Sequence, residues 1–450
     1  MRRCRRWFQG FALTCLWAGS AAASGFSVAR FSGEHGHPTT DNPTALYFNP
    51  AALRPRRFEL FVDGLFGLRR VTYTRTAQPL DAPDVPGAAG ANVGRATLLN
   101  PLASPSLWLG LPLSSRLSLA AGVFTPFGGP ISWDKRSAFE GSPYPGPLDG
   151  VTRFHAIEGL SITSYGSLGA SYALGDSGLR LGLVLNAVYT RIQDVRAWSG
   201  GGNGVAGEGR SLLDVDGFAW GVGLGAFYED AAKRWRLGVS YQSRPNFAGG
   251  FKLGGRLKND IGGPSSADVE LHEDLPDIVR VGVAYQARSN LELRAFGSWE
   301  RWSAFTSQCV TQAGLGCSIL PNGGQPDGGG VLQNVPRNFQ DAFEARVGMS
   351  VWTSPGLELF SGVGVMTEAV PSATLEASLP DFFGVTFSLG ARARVSDSVS
   401  VGGSLSHIVS PSRDAQSRFQ TYALPSKLPD ASGHYTQSVS YADLNVALRF

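Results

Sequence analysis

Few side chains in this 450-residue sequence stand at spacings that suggest chemistry. Glu34, His35 and His37 bring one carboxylate and two imidazoles together, the donor types of a transition-metal site, although solvated polar residues in an irregular segment are the commoner reading. His155, His272, His407 and His434 are scattered without metal spacing. Ser404 or Ser406 with His407 would supply the nucleophile and base of a hydrolase built into a wall, yet no G-x-S-x-G elbow occurs. Gly202, Gly204 and Gly207 fit G-x-G-x-x-G, but "RSLLD" opens no helix and no βαβ unit surrounds it, so a flexible loop is the better reading. "HEDLPD" (His272 to Asp277) gathers carboxylates that solvation alone explains. Cys309 and Cys317 bracket "VTQAGLG" and predict a disulfide closing a loop tip in an oxidising compartment, with two free thiols as the alternative. The sequence predicts no catalytic residue, no metal and no cofactor.

The elements that would position such residues are strands. Fifty-eight glycines, 26 phenylalanines, 12 tyrosines and 10 tryptophans with only 17% charged residues suit many strands and turns better than a helical enzyme. Arg2, Arg3, Arg5 and Arg6, an apolar run from Phe11 to Trp17 and then Ala21-Ala22-Ala23 read as a secretory signal peptide over residues 1–23. Losing its four arginines takes the basic count from 39 to 35 against 36 acidic residues, so the mature chain is near neutral and a nucleic-acid partner is not expected.

Alternation recurs along the chain. In "LRLGLVLNAVYTRIQDVR", Leu179, Leu181, Leu183, Leu185, Ala187 and Tyr189 share one face, while Arg180, Gly182, Asn186, Thr190, Asp194 and Arg196 share the other. "DGFAWGVGLGAFY" sets Phe218, Trp220, Val222, Leu224 and Tyr228 against Gly217, Gly221, Gly223 and Gly225, and "FFGVTFSLGARARV" repeats the pattern. Long alternating strands with outward aromatics near their ends, behind a signal peptide, predict an outer-membrane barrel. Candidate strands fall near 58–75, 104–113, 116–127, 159–174, 179–196, 215–229, 234–253, 268–287, 291–308, 341–353, 357–370, 382–396, 398–410 and 436–450, an even fourteen. Pro112, Pro126 and Pro130 make the second and third the least regular. The expected class is all-β, a transmembrane antiparallel barrel of 14 strands over 56–450, ending on an aromatic, Phe450, of the kind that barrel assembly machinery reads.

"DNPTALYFNPAAL" (Asp41 to Leu53) fits neither a helix nor a strand comfortably, because each Asn-Pro step removes a donor and forces extension before it. Together with "SGFSVARFSGEHG" it resembles the N-terminal hatch of the FadL/OMPP1/TodX family of outer-membrane long-chain fatty-acid and hydrocarbon transporters. "LNAVYTRIQDVR", "WGVGLGAFYE", "LGVSYQSRPNFAGGFKL", "LPDIVRVGVAYQ", "WERWSAF" and "FQDAFEARVGMSV" extend the resemblance in order to Phe450.

The resemblance implies a monomeric fourteen-stranded barrel in the outer membrane of a Gram-negative bacterium, with a hatch over 24–55 plugging its lumen. It implies uptake of long-chain fatty acids or other hydrophobic compounds by passive diffusion, through an apolar pocket and a lateral opening into outer-membrane lipid. The opening would lie at the kinked third strand, at Phe124, Pro126, Phe127, Gly128 and Gly129. Arg196 matches the family arginine that meets the substrate carboxylate; pairing with Asp194 or a loop acid is the alternative. The family's second basic partner, a lysine near the start of "FQDAFEAR", has no secure counterpart, which leaves neutral hydrocarbons open. Phe26, Val28, Phe31, Leu46 and Phe48 are expected as pocket or plug contacts, with Asn49, Pro50 and Ala51 as the hatch motif. The rival readings are a general diffusion porin, an outer-membrane lipase, and an adhesin or assembly barrel.

Overall fold

The computed structural model describes residues 33–79, 81, 83–199, 205–247, 250–260, 264–320, 330–415 and 429–450. The signal peptide and Phe26, Val28 and Phe31 lie outside the described residues, as do Gly202 and Gly204. Six long strands come first: β1 Glu59–Arg75, β2 Gly94–Pro112, β3 Leu117–Ser132, β4 Glu158–Ala173, β5 Leu179–Ser199 and β6 Glu208–Glu229. The next four staves are each interrupted. They are β7 Trp235–Gln242 with β8 Phe251–Asn259, β9 Ser265–Glu273 with β10 Ile278–Arg288, β11 Leu291–Glu300 with β12 Ser307–Gln312, and β13 Val331–Pro336 with β14 Ala342–Ser354. The last four staves are β15 Leu357–Met366, β16 Gly384–Arg394, β17 Val399–Val409 with the short β18 Arg413–Ala415, and β19 Gly433–Arg449.

All neighbours are antiparallel, and β19 pairs with β1 from Arg449–Glu59 up to His434–Thr74, so the sheet is a closed barrel of fourteen staves. Closure matters because lipid offers no hydrogen bonds to an open edge. The alternation read from the sequence becomes the two faces of the wall. Leu181, Leu183, Leu185, Phe218, Trp220 and Leu224 are exposed, while Val184, Asn186, Val188 and Thr190 are buried. The stretch Leu179 to Tyr189 matches the roughly 9–11 residues a tilted strand needs to cross the hydrocarbon. Tyr189 packs against Phe218 with tilted rings at 4.9 Å, and beyond them the exposed Arg191–Asp214 pair returns the wall to water.

The expected strands near 234–253, 268–287 and 291–308 are broken, β6 begins seven residues earlier than expected, and β2 and β3 are both longer. β2 begins at Gly94 and runs through Pro101 and Pro105, and β3 continues through Pro126 and Pro130 to Ser132. Proline is tolerated at these places because each strand is paired on one side only there.

Candidate functional site

The lumen contains a cleft walled by strands of the barrel and by the loops that interrupt them. Its walls are mostly apolar: Phe127, Ile131 and Leu160 from β3 and β4, Ile192 and Leu213 from β5 and β6, and Leu257 and Leu271 from β8 and β9. The stave interruptions supply more. Where β9 stops before β10, β11 before β12 and β13 before β14, the chain leaves the ladder and sends Leu275, Trp302, Phe305 and Phe339 into the cleft. Phe305 meets Phe339 edge to face at 5.0 Å, and Trp302 meets Phe127 in the same way at 6.1 Å. Leu379, from the loop between β15 and β16, adds to the wall.

Polar groups occupy a small part of this surface. Gln308 donates from Nε2 to Glu273 at 2.9 Å and accepts from Arg337 at 2.5 Å. Arg337 also pairs with Glu376 at 2.7 Å, whose other oxygen lies 2.9 Å from His155 Nδ1. Arg196 is different. It lies on the inward face of β5, lines the cleft and is only 5% exposed. Among the described residues its guanidinium has no direct hydrogen bond or ion pair; the Trp198 ring lies at 5.5 Å, and the carboxylates of Asp194 and Glu376 act on it through space. A desolvated guanidinium without an acceptor is costly unless a ligand supplies one, and a carboxylate is the acceptor its planar fork fits best.

The cleft reaches a break in the wall. β2 and β3 pair only over Leu107–Pro112 and Ser118–Val123. Beyond that, β2 pairs with β1 alone and β3 with β4 alone, until a single bridge joins Leu98 to Trp133. Across the seam Asn100 donates to the Pro130 carbonyl at 2.5 Å, and Ser104 reaches the Thr125 carbonyl at 3.5 Å. The register of β3 against β4 shifts between Phe124 and Phe127, around Pro126. Gly128 then adopts φ +121°, where a Cβ would stand 2.2 Å from the Ser161 carbonyl oxygen, so glycine is required. Phe127, Gly128 and Gly129 line the cleft. Phe124 instead closes the paired end of the seam, stacked on Trp108 at 4.3 Å and facing Tyr47 at 5.4 Å.

The N-terminal segment from Gly33 to Leu53 is held against the inward wall. Asn49 donates to the carbonyls of Pro38 (2.9 Å) and Ala226 (3.0 Å) and accepts from the Ala51 amide (3.1 Å). Ser171 donates to the Ala51 carbonyl and Ser240 to that of Phe48. The lumen-facing glycines make room for this backbone: a Cβ on Gly182 would lie 2.2 Å from the Ala51 nitrogen, and one on Gly225 2.0 Å from Asn49 Oδ1. Pro50 opens a short 3-10 turn that fixes Ala51 and Ala52 against β4, β5 and β6. Leu46 and Phe48 belong to a buried helical turn, Ala45–Phe48, that packs toward β3 and β4; neither is among the residues lining the cleft. Arg280 sits 4.3 Å over the Tyr47 ring.

The other sequence candidates separate. Glu34 bonds Arg346 and Ser388, and His35 lies 3.1 Å from Glu358. Burial and the Arg392 guanidinium push His35 down to about 4, and burial and Arg294 hold His37 well below its ordinary value. Glu34, His35 and His37 are each committed to the wall or to their own segment, and no convergent set of three metal-ligating side chains occurs among the described residues. His407 is exposed outward and bonded to Ser440, while Ser404 and Ser406 are buried inward, so that trio is split across the wall. Cys309 and Cys317 are joined as a disulfide beside the loop that follows β12.

Sequence reasoning missed Arg337, Glu376, Asn100 and Ser104. Arg337 stands just before "FQDAFEAR" and faces the cleft only because β13 ends at Pro336, an interruption that alternation does not announce. Pro101 and Pro105, inside an otherwise alternating strand, were the available signal for the seam.

A family model described as outer membrane protein transport protein (OMPP1/FadL/TodX) matches residues 14–450. No curated protein sequence matches the chain. Among solved structures, a Pseudomonas aeruginosa FadL homologue superposes with a TM-score of 0.73 at 16% identity, covering 97% of this chain and 100% of its own. The Ralstonia pickettii toluene transporter TbuX gives 0.64 at 17%, over 95% and 99%, and the Pseudomonas putida toluene transporter TodX gives 0.64 at 18%, over 96% and 99%. At these identities the likeness speaks for the fold. The family match spans nearly the whole sequence, and the chain belongs to the OMPP1/FadL/TodX family of outer-membrane transport proteins.

Proposed function

We propose that this outer-membrane transporter of hydrophobic compounds takes up long-chain fatty acids or similar amphiphiles. The acid group is received by Arg196, the chain lies along the apolar cleft, and the molecule leaves sideways through the β2–β3 seam into outer-membrane lipid. Residues 24–55 serve as the hatch. The observation that carries this reading is Arg196, a buried guanidinium without a direct hydrogen bond or ion pair among the described residues, facing a largely apolar cleft. Each CH₂ moved out of water gains roughly 0.8 kcal/mol, so a long chain favours an apolar route to lipid over a wet pore, and no energy source is needed while the inside removes the product. A second reading, a neutral aromatic hydrocarbon as in the toluene transporters of this fold, is favoured by the edge-to-face cluster of Phe127, Trp302, Phe305 and Phe339.

Arg196→Ala discriminates between them. Binding of hexadecanoic acid is expected to weaken by about tenfold or more, the range of a lost charge-assisted hydrogen bond, while toluene binding holds. Unchanged acid affinity would end the head-group assignment, and a large steady ion current through the wild-type protein would favour a porin.

A further inference from the structure

The cleft contains two arginines, and the protein treats them oppositely. Arg196 has no direct hydrogen bond or ion pair among the described residues and feels Asp194 and Glu376 only through space, whereas Arg337 is bound on both terminal nitrogens, to Glu376 at 2.7 Å and to Gln308 at 2.5 Å. Glu376 does not belong to the wall. It sits in the loop between β15 and β16, fully buried, flanked by Leu375 and Ala377, which are buried as deeply. That loop is fastened from several sides. Trp133 donates to the Ala377 carbonyl at 3.1 Å, Arg69 to that of Pro380 at 2.6 Å, and Arg413 to those of Asp381 and Val370 at 2.7 and 2.8 Å.

The carboxylate of Glu376 is correspondingly well held. Oε1 takes Arg337 and the Ser378 hydroxyl, the latter at 2.5 Å, and Oε2 takes His155. His155 Nε2 lies 3.0 Å from the Pro429 carbonyl, which can only accept, so Nε2 carries a hydrogen and the Nδ1 contact holds a proton shared with Glu376. Ser378 and Leu379 of the same loop line the cleft, which brings this anion to the edge of the ligand site.

We propose that Glu376 is a specificity-determining residue: as a counter-ion built into the β15–β16 loop, it withholds Arg337 from the ligand, so that an acid group is read by Arg196 alone. This rests on the fatty-acid reading of the cleft. Two free guanidiniums would grip a carboxylate bidentately from both sides and slow its departure, whereas one leaves it exchangeable, as passage requires. The same pairing keeps the cleft open to molecules with an uncharged polar end, since a second unpaired arginine would penalise them by remaining unsatisfied.

The test is equilibrium binding of hexadecanoic acid and of hexadecan-1-ol to the full-length protein in lipid nanodiscs. Glu376→Gln keeps the side-chain shape and a hydrogen bond to Ser378 while removing the charge that neutralises Arg337, which the uncharged Gln308 does not replace. Its acid-to-alcohol affinity ratio is expected to rise about tenfold over wild type, one charge-assisted contact, and the double variant Glu376→Gln with Arg337→Gln is expected to lose that gain. An unchanged or lower ratio in Glu376→Gln, or a gain that survives in the double variant, overturns the proposal. If Glu376→Gln does not assemble, the double variant decides: a ratio several-fold below wild type would mean that Arg337 already reads the carboxylate. Wild-type protein that binds neither probe would instead reject the fatty-acid reading itself, and this inference with it.

Discussion

The β5–β6 and β2–β3 hairpins stand in the same barrel and behave oppositely. All 21 residues of β5 find partners on β6, whereas β2 and β3 pair over six positions and then part. β5 and β6 contain no proline, while Pro101 and Pro105 lie in β2 and Pro126 and Pro130 in β3. Two prolines four residues apart remove donors from the same edge of β2. Because the ladder from β2 to β1 is unbroken, that edge is the one facing the seam. A barrel in lipid tolerates unpaired backbone only where donors have been removed, side chains reach across, or protein covers the gap. The seam uses prolines, then Asn100 and Ser104, and turns its inner side to the cleft.

The sharpest way to break this contrast is at Gly128. Gly128→Val places a branched side chain at φ +121° and drives its Cβ into the Ser161 carbonyl, so the bend of β3 cannot form. Uptake of hexadecanoic acid by cells is expected to fall by more than about tenfold, with a reduced heat-modifiable folded band, while Gly254→Ala in open space on β8 changes neither. Wild-type uptake in Gly128→Val would show that the bend is not needed.

Stapling the seam would make it resemble β5–β6. In Ser104→Cys with Thr125→Cys, oxidation is expected to cut uptake about tenfold and reductant to restore it, while the same treatment of Val188→Cys with Ala219→Cys, already opposite one another in the wall, has no effect. Uptake that continues through the oxidised seam would exclude a lateral exit there.

The smallest effect concerns the segment both hairpins surround. Asn49→Ala removes three hydrogen bonds, to Pro38, Ala226 and Ala51, for a loss of about 2 kcal/mol. Hydrogen exchange should quicken over 38–53 and stay slow in β5–β6. Equal quickening in both would mean that the segment and wall open as one unit.

Much of the barrel was legible because period-2 patterning survives wherever one face meets lipid and the other does not. The odd leucines of β5 and the aromatic row of β6 declare their direction without further context. Arg196 was legible for the same reason, since the parity that sends Leu181 to Leu185 outward turns it inward. The charge around that arginine was not. Which acids stand near it depended on distances between segments far apart in sequence, and Glu376, which acts on Arg196 through space, makes its direct contact with Arg337 across 39 positions.

By itself the sequence determined the face each strand residue presents, the even count of staves, and the irregularity of Asp41 to Leu53, because these follow from local backbone chemistry and from contrast between adjacent side chains. Only the tertiary structure decided that two of the broken staves send Trp302, Phe305, Arg337 and Phe339 inward, that β2 and β3 part above Leu107, and that one of two arginines is spoken for. Those outcomes depend on closure of the sheet and on a loop docking into its mouth, where small differences in pairing and charge between distant residues settle which contact forms.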